Sequence, residues 1–122
     1  MTEPGEIVLV ALPTAGGGSL KLRPALVLCQ LPGPTQTLLL AAISTSNLPL
    51  VENWDIQVDT DEPWFAGTGL HRTSAVRMSY LYASTESEIV GVVGSLPRNV
   101  HADLVRRLSL HIAPPEPVAP TG

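Results

Sequence analysis

Three aliphatic runs fill most of the first forty-six positions: GEIVLVAL (5–12), RPALVLCQ (23–30) and TLLLAAISTS (37–46). Each is short and bounded by Gly/Pro-rich punctuation, PTAGGGSLKL after the first and LPGPTQ after the second. Apolar runs of this length between turn signals read as strands covered on both faces or closed into a barrel. Aromatic residues make up only 4 % of the 122-residue chain. Any core must therefore be built from Val, Leu, Ile and Ala. The length suits one domain.

Further on the pattern changes. In WDIQVD (54–59) Trp54, Ile56 and Val58 alternate with Asp55, Gln57 and Asp59. EPWFAGTG (62–69) reads as an irregular loop. In TSAVRMSYLYAS (73–84) Val76, Met78 and Tyr80 share one strand face, and Arg77 and Ser79 share the other. EIVGVVGSL (88–96) is a short strand. Val100, Leu104, Leu108 and Ile112 then recur every fourth residue beside Val105, the stripe of one amphipathic helix over Asn99 to His111. Asn99 suits an N-cap and Asp103 the first turn, although Pro97 could instead begin the helix. The tail 113–122, APPEPVAPTG, should be disordered or extended. The expected architecture is mainly β with a C-terminal helix: one domain over 1–112 and no internal repeat.

The net charge of −4 argues against broad, charge-driven nucleic-acid binding, and DNA binding is not expected. Five of the acids, Glu52, Asp55, Asp59, Asp61 and Glu62, fall within eleven residues. Without them six acids face seven bases, a net of +1, so a local cationic surface is available. The acidic cluster itself reads as a solvated loop and strand edge. No run approaches the ~20 apolar residues of a membrane span. Cys29 has no cysteine to pair with, which fits a reducing compartment such as the cytoplasm; in its strand-like run it reads as a small buried hydrophobe.

Lys21 and Arg23 stand at the mouth of the second strand. Pro24 biases Arg23 toward extended backbone. They form either a polar strand entrance or an anion site. The three histidines are scattered and the cysteine is alone, so no metal site or cofactor is expected.

In order and spacing, GEIVLV, a glycine-rich loop, RPALVL, AAISTS, TSAVR, IVGVVGSL and a closing helix resemble the MazF/PemK toxins of type II toxin–antitoxin systems over about residues 5–112. The resemblance implies a small SH3-like twisted β-barrel, a homodimer, and a metal-independent endoribonuclease that cuts single-stranded mRNA at short sequences. It also implies a cognate antitoxin whose flexible segment covers the active site. Arg23 and Pro24 match the family's Arg-Pro. Ser44 falls where the family has a Thr or Ser of the site, with Thr45 and Ser46 adjoining. Arg77 matches an active-site arginine that serves as general acid or phosphate clamp. Where members carry Asp, His or Glu, this chain has Ser79, Gly17 and Gly18.

Attack by the 2′-oxygen on an RNA phosphate needs a base, donors for the phosphorane charge and an acid for the leaving 5′-oxygen. Guanidinium groups supply the donors. The candidate catalytic residues are therefore Arg23, Arg77, Ser44, Thr45 and Ser79. Lys21, Ser46, His71 and Arg72 are candidates for RNA binding. His71 is also the best remaining base, or else an exposed loop histidine. Arg77 reads alternatively as a surface strand cation. His101 and His111 read as surface or packing residues. Trp64 and Phe65 either stack on a base, plug the barrel edge or face a dimer partner; the glycines of loop 13–22 would permit a mobile lid. The rival to a ribonuclease is a module of the same fold that binds an antitoxin peptide or RNA without cleavage. A toxin of that fold acting on a protein target such as gyrase is a third class.

Overall fold

In the computed structural model, which describes residues 2–13, 20–45 and 49–115, the three aliphatic runs are strands β1 (Glu6–Pro13), β2 (Leu20–Leu31) and β3 (Thr37–Ser44). They are followed by β4 (Ile56–Val58), β5 (Ser74–Thr85), β6 (Ile89–Ser95) and helix α1 (Arg98–Ile112). All strand pairs are antiparallel, in the order β4-β5-β3-β2-β1-β6. Hydrogen bonds do not join the two edges, β4 and β6, among the described residues. A 3-10 turn (Phe65–Thr68) in the β4–β5 connection packs on β6 instead. The backbones meet so closely there that a Cβ on Gly94 would stand 2.3 Å from the Thr68 carbonyl carbon, and one on Gly69 2.1 Å from the Val93 carbonyl oxygen.

The aliphatic runs are buried on both sides because there is a core on each face of the sheet. Ile7, Leu26, Ala41, Ile43, Val76 and Met78 face α1, which contributes Leu104 and Leu108. Val8, Val10, Ala25, Val27, Leu38 and Leu40 form a second core on the other face, with Tyr82 and Ile89 packed against it. Cross-strand neighbours point the same way, so the register assigns the paired strand residues to one of these two faces.

Several expectations need correction. The WDIQVD strand shrinks to Ile56–Val58, and Asp55 is buried, not part of a solvated acidic edge. Tyr80 does not share the face of Val76 and Met78. Ala42 pairs with Arg77 but Ala41 with Leu81, so residues 78, 79 and 80 bulge out of the ladder and Tyr80 is 60 % exposed. Asn99 is not the N-cap: the helix starts one residue earlier, after Pro97, whose carbonyl accepts from the amides of Val100 and His101. Asp103 is not in the first turn and pairs with Arg107 at 2.7 Å. Ile112 is exposed, although the periodicity placed it on the buried stripe. Trp64 and Phe65 pack against the helix-side core, as the edge-plug reading has it. His101 is a packing residue whose Nε2 donates to the Leu28 carbonyl at 2.9 Å. Cys29 is half-buried and free. Residues 113–115 are exposed beyond α1; the rest of the expected tail, like Ser46 and the glycines of loop 13–22, lies outside the described residues. No helix among the described residues is long and apolar enough to cross a membrane.

Candidate active site

Ala42 is the cross-strand partner of both Ala25 and Arg77. Counting in steps of two along β2 and β3 puts Arg23 and Ser44 on the same sheet face as Arg77, with Lys21 beyond Arg23. That face also carries the second core, so a polar end continues an apolar floor. Lys21 and Arg23 are exposed and Ser44 is half-buried. The three neighbouring strands β2, β3 and β5 thus bring Arg23, Ser44 and Arg77 to one side.

Arg77 is not a surface cation. Its side chain is 6 % exposed, its Nη1 donates to the Pro49 carbonyl at 2.9 Å, and it stands 3.5 Å from Asp55 Oδ2. The Asp55 carboxylate holds three donors: Oδ1 accepts the Met78 amide at 2.9 Å, and Oδ2 accepts the Val51 amide at 2.9 Å as well as Arg77. Asn53, with φ of 60°, takes the left-handed turn of this 51–55 segment, a conformation Asn tolerates. Arg107 of α1 reaches over and donates to the Asp55 carbonyl at 3.0 Å. Two guanidinium groups therefore clamp one short segment from opposite sides.

Ser79, released by the bulge, is exposed and lines a small cavity of about 160 Å³ with Pro49, Val51, Asp55, Arg77 and Tyr80. Its Oγ accepts from Trp54 Nε1 at 2.8 Å, which leaves the hydroxyl proton available to a ligand.

Thr45, His71 and Arg72 are placed elsewhere. They line a mainly apolar cleft of about 270 Å³ with Leu9, Pro24, Leu70 and Val93. One step along the chain from Ser44 turns Thr45 to the opposite face. The candidates thus fall into two groups, Lys21, Arg23, Ser44, Arg77 and Ser79 on one and Thr45, His71 and Arg72 on the other. Sequence reasoning missed Asp55, the partner that holds Arg77; the signal was its place two residues before Gln57 on the polar side of WDIQVD. No group of three or more His, Cys, Asp or Glu side chains among the described residues is arranged to hold a metal ion.

Comparison with known proteins gives two results. The sequence model described as "PemK-like, MazF-like toxin of type II toxin-antitoxin system" matches residues 3–112. Among solved structures the fold is similar to the Mycobacterium tuberculosis toxin MazF-mt6, with a TM-score of 0.61 and 21 % identity, over 86 % of this chain and 93 % of that one. No curated protein matches the sequence.

Proposed function

The chain belongs to the PemK-like, MazF-like toxins of type II toxin–antitoxin systems, and on that footing we propose that it is a metal-independent endoribonuclease that cuts single-stranded mRNA at a short sequence. The observation that supports this most is the convergence of Arg23, Ser44 and Arg77 on one face of adjacent strands. The reaction is attack of a 2′-oxygen on the adjacent phosphorus. A P–O2′ bond forms, the P–O5′ bond breaks, and the 5′-oxygen leaves with a proton. The products are a 2′,3′-cyclic phosphate and a 5′-hydroxyl.

Arg23, exposed and with no ion pair among the described residues, forks onto two phosphate oxygens and stabilises the phosphorane charge. Ser44 and Ser79 add hydroxyl donors. Arg77, its charge offset by Asp55, holds the wall of the site in place. Lys21 contributes a further point charge for the incoming strand. A cognate antitoxin would silence the site, and a homodimer and a cytoplasmic location fit the same family reading.

A second reading has an observation of its own. The buried carboxylate beside Arg77 already accepts three hydrogen bonds, and the family's aspartate position is Ser79. A protein without a free base in this cavity would bind RNA or an antitoxin peptide without cutting.

One experiment separates the two. Purified protein, free of antitoxin and with EDTA present, is incubated with a long unstructured RNA, and breaks are mapped by primer extension. Arg23→Ala runs alongside, because its exposed side chain can be removed without unfolding risk. Cuts at a recurring short motif that fall at least tenfold in the variant, and that disappear when the 2′-hydroxyl at the cut is removed, support the ribonuclease. RNA bound but intact supports the binding module.

A further inference from the structure

Three surface depressions share walls and form one groove. The cavity of about 160 Å³ beside Arg77 is the first. The second, about 420 Å³, shares Val51 and Ser79 with it and adds Trp54 and His111. The third, about 510 Å³, shares Trp54 and His111 with the second and ends on α1 at Arg106 and Leu110. The groove therefore leads from the candidate active site to the outer side of the helix.

Its lining is unlike the core beneath it. Tyr80 is exposed, Trp54 is half-buried, and the His111 ring lies 5.1 Å from the Trp54 ring at 53°. Arg106 is exposed, and its guanidinium has no ion pair among the described residues. Arg107 is committed to Asp103 and the Asp55 carbonyl, and that pairing offsets the Asp103 charge. The remaining acids on the walls are Asp55, which is paired with Arg77, and Glu52. Aromatic rings followed by an unengaged guanidinium suit a single nucleic-acid strand. Bases stack on rings with little regard to sequence, and a phosphate meets the cation.

We propose that this groove carries the RNA strand away from the reacting phosphate, with flanking bases on Tyr80 and on the Trp54–His111 pair and a more distant phosphate on Arg106. The proposal rests on the ribonuclease reading for the identity of the strand. The groove begins at the Arg77 cavity of the candidate active site, and its exposed ring and the Arg106 guanidinium favour RNA as the occupant.

The test is binding of two labelled, uncleavable 2′-O-methyl RNAs, one of about 16 nucleotides and one of about 4, spanning the usual site sizes for single-strand grooves. Arg106→Glu and Tyr80→Ala should each weaken the longer RNA about fivefold or more, and Arg106→Glu should cut the salt slope by about 0.7, one single-strand phosphate contact. Arg106→Glu should leave the short RNA unchanged. Arg98→Glu, the same charge change at the exposed start of α1, is the control. Equal loss in Arg98→Glu and Arg106→Glu would overturn the proposal, as would no loss in either groove variant, or no binding of the longer RNA by the unaltered protein. Loss of an antitoxin peptide with RNA binding intact would give the groove to a protein partner instead. Cleavage of unmodified RNA is followed in parallel, so a groove that binds in a protein that does not cut would refute the ribonuclease alone.

Discussion

The Arg77 guanidinium lies 3.5 Å from the Asp55 carboxylate with both side chains closed to water, 6 % and 3 % exposed. Asp55 also collects the amides of Val51 and Met78, so the pair ties β5 to the segment before β4. Removing one partner strands the other as an uncompensated buried charge. Asp55→Ala should therefore cost about 3 kcal/mol or more in urea unfolding. The double change Asp55→Leu with Arg77→Met should cost less than Asp55→Ala alone; an equal or larger loss would show that the pair does more than compensate itself.

Glycine is required where the 3-10 turn meets β6. Gly94→Ala drives a Cβ into the Thr68 and Gly67 carbonyl groups, and Gly69, at φ of 73°, meets the Val93 carbonyl. Backbone cannot swing aside as a side chain can. Each alanine should lower the thermal midpoint by several degrees, corresponding to roughly 2 kcal/mol of packing and backbone strain. Gly91→Ala, with open space around its Cβ, should change it little.

Helix α1 is attached through Leu104, which is fully buried, and not through Leu110, which is 72 % exposed. Leu104→Ala should cost about 2–5 kcal/mol by transfer and cavity terms. Leu110→Ala should stay within about 0.5 kcal/mol, as surface changes do. Chemical denaturation of the two variants side by side checks the contrast.

The Tyr82 hydroxyl is buried with no hydrogen-bond partner among the described residues, and burial pushes its pKa up to about 12. A raised phenol pKa means the fold disfavours the phenolate. Any stability contribution is thus present below the ordinary value of 10.0 and lost as pH rises through about 12. Tyr82→Phe removes an unsatisfied group and should be neutral or stabilising by up to about 1 kcal/mol. It should also delete the late step near pH 12 from an absorbance titration of phenolate; a late step that persists would place the high-pKa phenol elsewhere.

Glu86 accepts from the Thr2 hydroxyl and amide, and these bonds hold its carboxyl below the ordinary 4.5. A depressed carboxylate stabilises the fold above its unfolded value and loses that contribution as pH falls through the folded one. The midpoint gap between wild type and Glu86→Gln should therefore be constant well above the ordinary 4.5 and close as pH falls below it. A gap that persists at pH 2 would mean the tether is not electrostatic.

Much of the fold was legible because aliphatic runs and a four-residue period are local signals: Leu38, Leu40 and Ile43 announce a buried strand, and Val100, Leu104 and Leu108 a helix face. Tyr80 was misplaced because a bulge exists only against a partner strand; its own alternation looked regular. Asp55 was assigned to the solvated acidic cluster because charge density along a chain says nothing about burial. Thr45 was grouped with Ser44 as a neighbour in sequence, although one step along a strand reverses the face. His71 and Arg72 precede β5 in sequence, and only the folded connection shows that they line a separate cleft with Thr45.

Leu26 and Val27 are consecutive residues of β2 that belong to different cores. The helix leans on one set of alternate positions, while Arg23, Ser44 and Arg77 continue the other. Scaffold and chemistry are thus written on interleaved letters of the same strands. Substitutions on the face that carries Arg23, Ser44 and Arg77 can therefore leave the helix-side packing untouched, so the two faces of these strands drift under separate constraints.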